Sequence, residues 1–413
     1  MAGMDGERPM LSEIQKELLQ LTGHILFDVP YELPTTDSKA ICEEAFAQAV
    51  LPLVFPSVED DLSEEARKRW KNTNLQIIIN NVRVENQHRE AHILLTAHQI
   101  PYVILKGCAS AHYYPSPIMR SMGDVDFLVR EEDMKRVGEL LKSEGFKEET
   151  EEKKKEEVMH IAYHRAPRQT WEVHRFINGI PKDGAIGNLL NSYCKNILET
   201  SVEINTLNGC YRIPDTFHHG LVLLLHTASH LTSAGVGLRH LCDWAVFYAS
   251  LSEEEFVSFF EEKLKAAGLW RFAQLLTLTA VTYLKSPARI WAGTADEDLL
   301  ESIITDILTG GNFGRKDHDR SVHDKFIRNR DVGTIDGKAP LAQMLYTVNV
   351  KARTECGFVK KCPALQPIGW VVVAVKYTIL VLAGKRKFGN RKTLDSVAKR
   401  KNIYKEFHLF EAS

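Results

Sequence analysis

The spacing of apolar residues changes twice along this chain, and these two changes constrain its fold more than any other feature. Up to residue 98 apolar side chains recur at helical intervals, first in "LSEIQKELLQLTG" and then in a long candidate helix from Ser63 toward His98 that contains "LQIIINNVRVENQHREAHILLTAHQI". The "QIP" that follows stops it, because proline cannot continue a helix and restrains the residue before it. From Pro101 short apolar runs take over. "YVILKG" reads as a strand ending in glycine, "CASAHYY" as a helix start, "DVDFLV" as a second strand, and "EEDMKRVGELLKSEGF" as a helix closed by Gly145. Two further strand candidates, "MHIAYHR" and "TWEVHRF", flank the charged "KEETEEKKKEEV", a solvated hairpin rim. From Asp215 the helical period returns in "TFHHGLVLLLHTASHLTS", "LRHLCDWAVFYASL", "SEEEFVSFFEEKLKAAG", "WRFAQLLTLTAVTYLK" and "DEDLLESIITDILTG".

This order predicts an α+β chain in which a small mixed sheet with flanking helices is followed by a helical C-terminal domain. A chain of 413 residues is more than one core usually organises. The expected division is a helical segment over 1–95, an α/β core over 96–212, a helical domain over 213–309, a long loop region over 310–366, and a C-terminal helix with a basic tail over 367–413. The loop candidate "GGNFGRKDHDRSVHDKFIRNRDVGTIDGKAP" is rich in glycine and charge, and the tail from Lys385 to Lys405 reads as a solvated surface helix.

A formal net charge of −2 and a sequence pI near 6.8 create no global field for a polyanion or an anionic surface, which argues against nucleic acid and membrane as partners. The apolar run "PIGWVVVAVKYTILVLAGKRK" is interrupted by Lys376 and is short for a span, so a buried or amphipathic helix is expected there. Seven cysteines without a C-x-x-C pair, and an N-terminus with neither a basic nor an apolar leader region, predict a reducing, cytoplasmic setting. "CGFVKKC" fits neither a redox pair nor a zinc knuckle, so Cys356 and Cys362 are expected as free thiols.

The chemistry concentrates in "SMGDVDFLVR". In a strand, residues two apart share a face, so Asp124 and Asp126 point together while Val125 and Phe127 take the other side. Paired carboxylates repel unless a cation or donors compensate, and Mg²⁺ held through one or two carboxylates plus substrate phosphates is one such arrangement. A strand end whose acids simply face water is the alternative. Glu172 in "TWEVHR" is a third acid, sharing a face with Thr170 and His174. Three carboxylates from two neighbouring strands can therefore converge. Lys106 and Gly107 lie where a strand hands over to a helix, a place where backbone N–H groups favour anions and glycine permits close approach. Lys106 would add a point charge to a phosphate or else extend along the surface. Ser110 would donate to phosphate or cap the helix.

"ILKGCASAHYYPSPIMRSMGDVDFLV", followed by "WEVH" and by "LLLHTASHLTSAGVGLRHLCDWAVF", resembles an uncharacterised nucleotidyltransferase family of the polymerase-beta-like nucleotidyltransferase superfamily, from about residue 90 to 310. One departure is visible: Cys108 follows Gly107 where the superfamily often has glycine or serine. The resemblance implies transfer of a nucleoside monophosphate, AMP from ATP as the first expectation, from an NTP to an acceptor with release of pyrophosphate. Asp124 and Asp126 would bind Mg²⁺ or Mn²⁺, and Glu172 would be the third metal ligand or the base for the acceptor. Lys106, Gly107, Ser110 and Arg120 would hold the nucleotide, with Arg120 on a phosphate or paired with Asp124. His174 would orient Glu172 or the acceptor.

Arg239 and Asp243 are spaced for an intrahelical ion pair, and their place in the second family block implies a contribution to acceptor binding. The acceptor would be a small molecule, a peptide or a protein. His226 and His230 stand one helical turn apart, yet "HTASH" lacks the glutamate of H-E-x-x-H. With His218, His219 and His240 they are expected to bond within the helical domain or line its cleft. No G-x-S-x-G elbow or phosphate-binding G-x-x-x-x-G-K-[ST] loop is present. The competing class is a nucleotide-binding or scaffolding protein of the same fold with little turnover.

Overall fold

The computed structural model describes residues 11–31, 37–149, 160–167, 169–182, 184–206, 209–231, 235–316, 348–349, 351–353, 356–382 and 400–411. Most of the predicted loop at 310–340, the charged rim at 150–159 and the tail from 383 to 399 lie outside these residues.

Three helices open the chain, α1 (Glu13–Phe27), α2 (Ser38–Ala47) and α3 (Leu51–Val58). A capping box between Ser12 and Gln15 starts α1, satisfying N–H groups that have no partner inside the helix. The long α4 (Glu64–Ala97) begins at the Ser63 cap, as its spacing predicts, and at 34 residues spans about 50 Å. That length lets it serve two cores: Trp70 packs in the larger helical core, whereas Val84, Ala91 and Leu95 pack under the sheet.

The sheet follows. β1 (Tyr102–Ile104) leads through the single turn α5 (Cys108–Ala111) to β2 (Val125–Val129), then α6 (Met134–Ser143), β3 (Lys147–Glu148), β4 (His160–Arg165) and β5 (Gln169–His174). Spatial order is β1-β2-β5-β4-β3, with β2 and β5 parallel and the other pairs antiparallel, so the sheet is mixed. One face is apolar. Val125, Phe127, Trp171 and Val173 bury themselves against α4 and α6, with Phe127 and Trp171 edge to face at 6.1 Å. The opposite face carries the charges.

After α7 (Ala185–Tyr193) comes a hairpin of β6 (Val202–Thr206) and β7 (Gly209–Ile213), which the sequence reading did not anticipate although an Asn-Gly dipeptide precedes Cys210. Then α8 (Thr216–Leu231), α9 (Leu238–Ala249), α10 (Glu253–Ala266), α11 (Trp270–Leu284) and α12 (Glu297–Gly310) build the helical layer. Its core is shared with α1–α3 from the other end of the sequence.

One expectation is corrected at the C-terminus. The end of the basic tail is not a solvated helix: Tyr404, Phe407, Leu409 and Phe410 enter the large core, and buried Arg400 pairs with Asp306 at 3.4 Å. Aromatic residues between the basic ones supply enough apolar surface to dock the segment. The helix Gln366–Leu382 buries Val373, but Val371 is 62% and Ile379 59% exposed. No described helix is long and apolar enough to cross a membrane. All seven cysteines are free thiols.

Candidate active site

Register brings the acids together. Asp126 lies directly across from Glu172 on the adjacent parallel strand, and His160 on β4 lies across from His174. Residues in register share a face, so Asp126, Glu172, His174 and His160 stand on the polar side, with Asp124 just before β2 at its exposed rim. The loop leading into the aspartates is pegged from behind by α4. Asn81 donates to the Ile118 carbonyl at 2.7 Å and accepts from the Met122 N–H at 2.9 Å, while Asn80 donates to the Met122 carbonyl at 2.9 Å. These asparagines were unmarked in the sequence, where they read as polar positions of a helix.

Asp126 is buried, and both its neighbours are cationic or able to become so. Lys106 Nζ lies 2.9 Å and His174 Nε2 3.0 Å from its Oδ1. Burial alone would raise this carboxyl; Lys106 and His174 reverse the effect and hold it below the ordinary carboxylate range. His174 is the mirror case: burial lowers it, but bonds to Asp126 and to Glu172 at 3.4 Å raise it. Asp124 is pushed up, first by lost hydration and then by the charges of Asp126 and Glu172. His160, which the sequence reading did not single out, puts Nε2 3.7 Å from Glu172. His160, Glu172 and His174 bring three ligand-type atoms within 4.8 Å of one another. The signal for His160 was its alternation with Ala162 and His164 on one strand face.

Gly107 has φ +63° and ψ −115°, a conformation that side chains resist, and a Cβ there would sit 3.0 Å from the His88 imidazole. Gly107→Ala is therefore expected to cost about 1–3 kcal/mol in urea unfolding; a change below half a kcal/mol would show that the turn can relax. The helix after Gly107 is a single turn. Ser110 is buried and its hydroxyl has no partner.

Two charged residues take partners other than those the spacing offered. Asp243 does not pair with Arg239 one turn away. Both its oxygens accept from Arg120 at 2.7 Å, and Tyr114 donates to one of them at 2.7 Å. Arg120, expected on a phosphate or on Asp124, also donates to the Gly107 carbonyl at 3.2 Å. It therefore ties the turn and the sheet to α9, because the bidentate geometry on Asp243 satisfies both groups away from water. Arg239 instead donates to the Ser121 carbonyl at 2.8 Å. Arg120→Ala strands Asp243 in the interior, so a loss of about 3 kcal/mol is expected. Arg120→Met with Asp243→Leu and Tyr114→Phe should restore most of it. If the triple variant stays as unstable as the single one, the cost arises elsewhere.

The helical layer carries its own histidine cluster on α8 and α9. His226 and His230 rings stand 4.4 Å apart and His240 5.5 Å from His226. His218 belongs elsewhere: it bonds Asp215 and the Tyr193 carbonyl, each at 2.8 Å.

A mixed α+β unit with acids in register on its polar face, closed on one side by helices, is consistent with a nucleotidyltransferase domain. The model of the family described as uncharacterised nucleotidyltransferase matches residues 34–285, more than half of the chain, and the protein belongs to that family. No curated protein matches it.

Proposed function

We propose that this protein is a metal-dependent nucleotidyltransferase, with a polymerase-beta-like catalytic core, that moves a nucleoside monophosphate from an NTP to an acceptor hydroxyl or similar group. AMP from ATP is the leading case, and the acceptor is a small molecule, a peptide or a protein. The observation that carries this reading is the register of Asp126 against Glu172, with Asp124 two residues earlier and Lys106 on the same carboxylate.

Asp124, Asp126 and Glu172 offer the oxygen donors that a hard divalent cation takes, with Asp126 and Glu172 in register on one face and Asp124 two residues before Asp126. Bound, Mg²⁺ or Mn²⁺ would neutralise charge developing on the phosphoryl oxygens. The imidazole pair suits softer ions, and His174 Nε2 is already engaged with Asp126, so His174 acts as a positioning residue that orients Asp126 and Glu172. Glu172, partly exposed, would complete the metal's ligands or, left free of the metal, take the proton of an incoming acceptor. As the acceptor oxygen bonds to the α-phosphorus, the bond to the β-phosphate oxygen breaks and its electron pair leaves with pyrophosphate. Lys106 supplies a point charge toward that leaving group, and the Gly107 turn lets phosphate oxygens approach the backbone.

The test is to incubate the protein with each NTP, Mg²⁺ or Mn²⁺ and a pool of candidate acceptors, following pyrophosphate. Release that requires the metal and stops with chelator supports transfer. Nucleotide binding that ignores the metal, with no release for any acceptor, would instead favour a nucleotide-binding scaffold.

A further inference from the structure

Arg239 sits in the first turn of α9, half-buried, and its partners do not match its charge. Its Nη1 has the Ser121 carbonyl, but its Nε is buried without a hydrogen-bond partner, and no carboxylate among the described residues is within ion-pair distance. Asp243, the acid one turn on, is fully engaged by Arg120 and Tyr114. Burial and the nearby Arg120 charge pull Arg239 down to about 10. A cation held this way is costly unless an anion arrives.

Its surroundings point the same way. His230 Nδ1 and His240 Nε2 are also buried without partners, and His240 is only 2% exposed. Phe313 holds the group together, with its ring 4.9 Å from His230, 5.5 Å from His240 and 5.6 Å from the Arg239 guanidinium. It does so from a left-handed backbone conformation, φ 55° and ψ 38°, that an aromatic residue adopts only under constraint. α5, which follows Lys106 and Gly107, packs against α9, and Arg239 itself reaches the Ser121 carbonyl in the loop that leads into the aspartates, so the cluster lies beside the segments that carry Lys106 and Asp124. Ser110, four residues after Lys106, adds an orphaned buried hydroxyl.

We propose that Arg239, His230 and His240 form an anion subsite on the helical layer that holds the β- and γ-phosphates of the donor nucleotide against Lys106 and Ser110. This rests on the nucleotidyltransferase reading and extends it: the sheet would supply the acids, and the helical layer would grip the leaving pyrophosphate. A guanidinium with a free N–H edge and imidazoles able to gain protons match a polyphosphate, whose oxygens accept several hydrogen bonds at once.

The probe is inorganic tripolyphosphate, titrated calorimetrically into the full chain without metal. Arg239→Met should weaken its binding at least tenfold while the melting temperature holds or rises, since a half-buried charge without a carboxylate partner is removed. His240→Leu should weaken binding severalfold by an independent route. ATP should compete with tripolyphosphate; simultaneous binding of the two overturns the assignment to the donor. Unchanged affinity in both variants, alongside intact metal-dependent pyrophosphate release, overturns the subsite alone. Arg239-dependent tripolyphosphate binding in a protein that releases pyrophosphate from no NTP overturns the transfer reading and keeps the subsite.

Discussion

Asp126→Asn should lower metal-dependent pyrophosphate release at least a thousandfold while leaving the sheet folded. Asparagine has the same shape, so Val125 and Phe127 keep their places in the core beneath it. What disappears is the charge at which Lys106 and His174 meet, and with it the oxygen donor facing Glu172. Removing preorganised electrostatic stabilisation of about 4 kcal/mol corresponds to that thousandfold. The variant should also move His174: without Asp126 its imidazole loses the bond that most raises it, and its NMR titration should shift downward. Turnover within tenfold of the wild type would remove Asp126 from the site. A normal His174 titration in the variant would show that the bond to Asp126 is absent in solution.

Acid should unfold this protein well before its carboxylates titrate. His88, His219 and His230 are held near 4, 3 and 4 in the folded state, chiefly by burial, and His226 and His240 are held well below their ordinary value for the same reason. The unfolded chain binds these protons near pH 6.5 and the folded one does not. Stability is therefore full above that pH and falls as pH drops toward the folded values. Each such histidine removes about 2 kcal/mol between pH 7 and pH 5, less for the partly open His226 and His230, and typical total stability is about 5–15 kcal/mol. Unfolding near pH 5 is the expected result. His174 works oppositely: its contribution is present below pH 6.5 and lost as pH rises through its elevated folded value. His219, wedged between Tyr113 and Phe247 at 5.2 and 5.6 Å with neither nitrogen bonded, offers the control. His219→Leu should flatten the dependence by about 1.4 kcal/mol per pH unit. A urea-derived stability that barely changes between pH 7 and pH 5 would mean that these imidazoles reach solvent.

Much of the candidate site was legible because its signals are local. Alternation at 124–127 and 170–174 assigns each side chain to a face whatever the strand pairs with, and the helical period with the Ser63 cap marks α4 to within a residue. The hairpin of β6 and β7 carries little sequence signal because its strands are short and weakly apolar. The buried end of the tail departs from its solvated expectation because burial depends on the groove its aromatics meet rather than on how many charges surround them.

What the sequence determined alone is which chemistry each face carries: acids and histidines on one side of a small sheet, apolar groups on the other, and histidines along the helices beyond. Tertiary structure decided who meets whom. Arg120 reached past every nearby acid to Asp243, Lys106 took Asp126, and His160 joined Glu172. Facing depends on backbone periodicity, which acts over a few residues. Charge pairing depends on which distant segments are packed together out of water, where a few ångströms decide whether two opposite charges satisfy each other or remain costly.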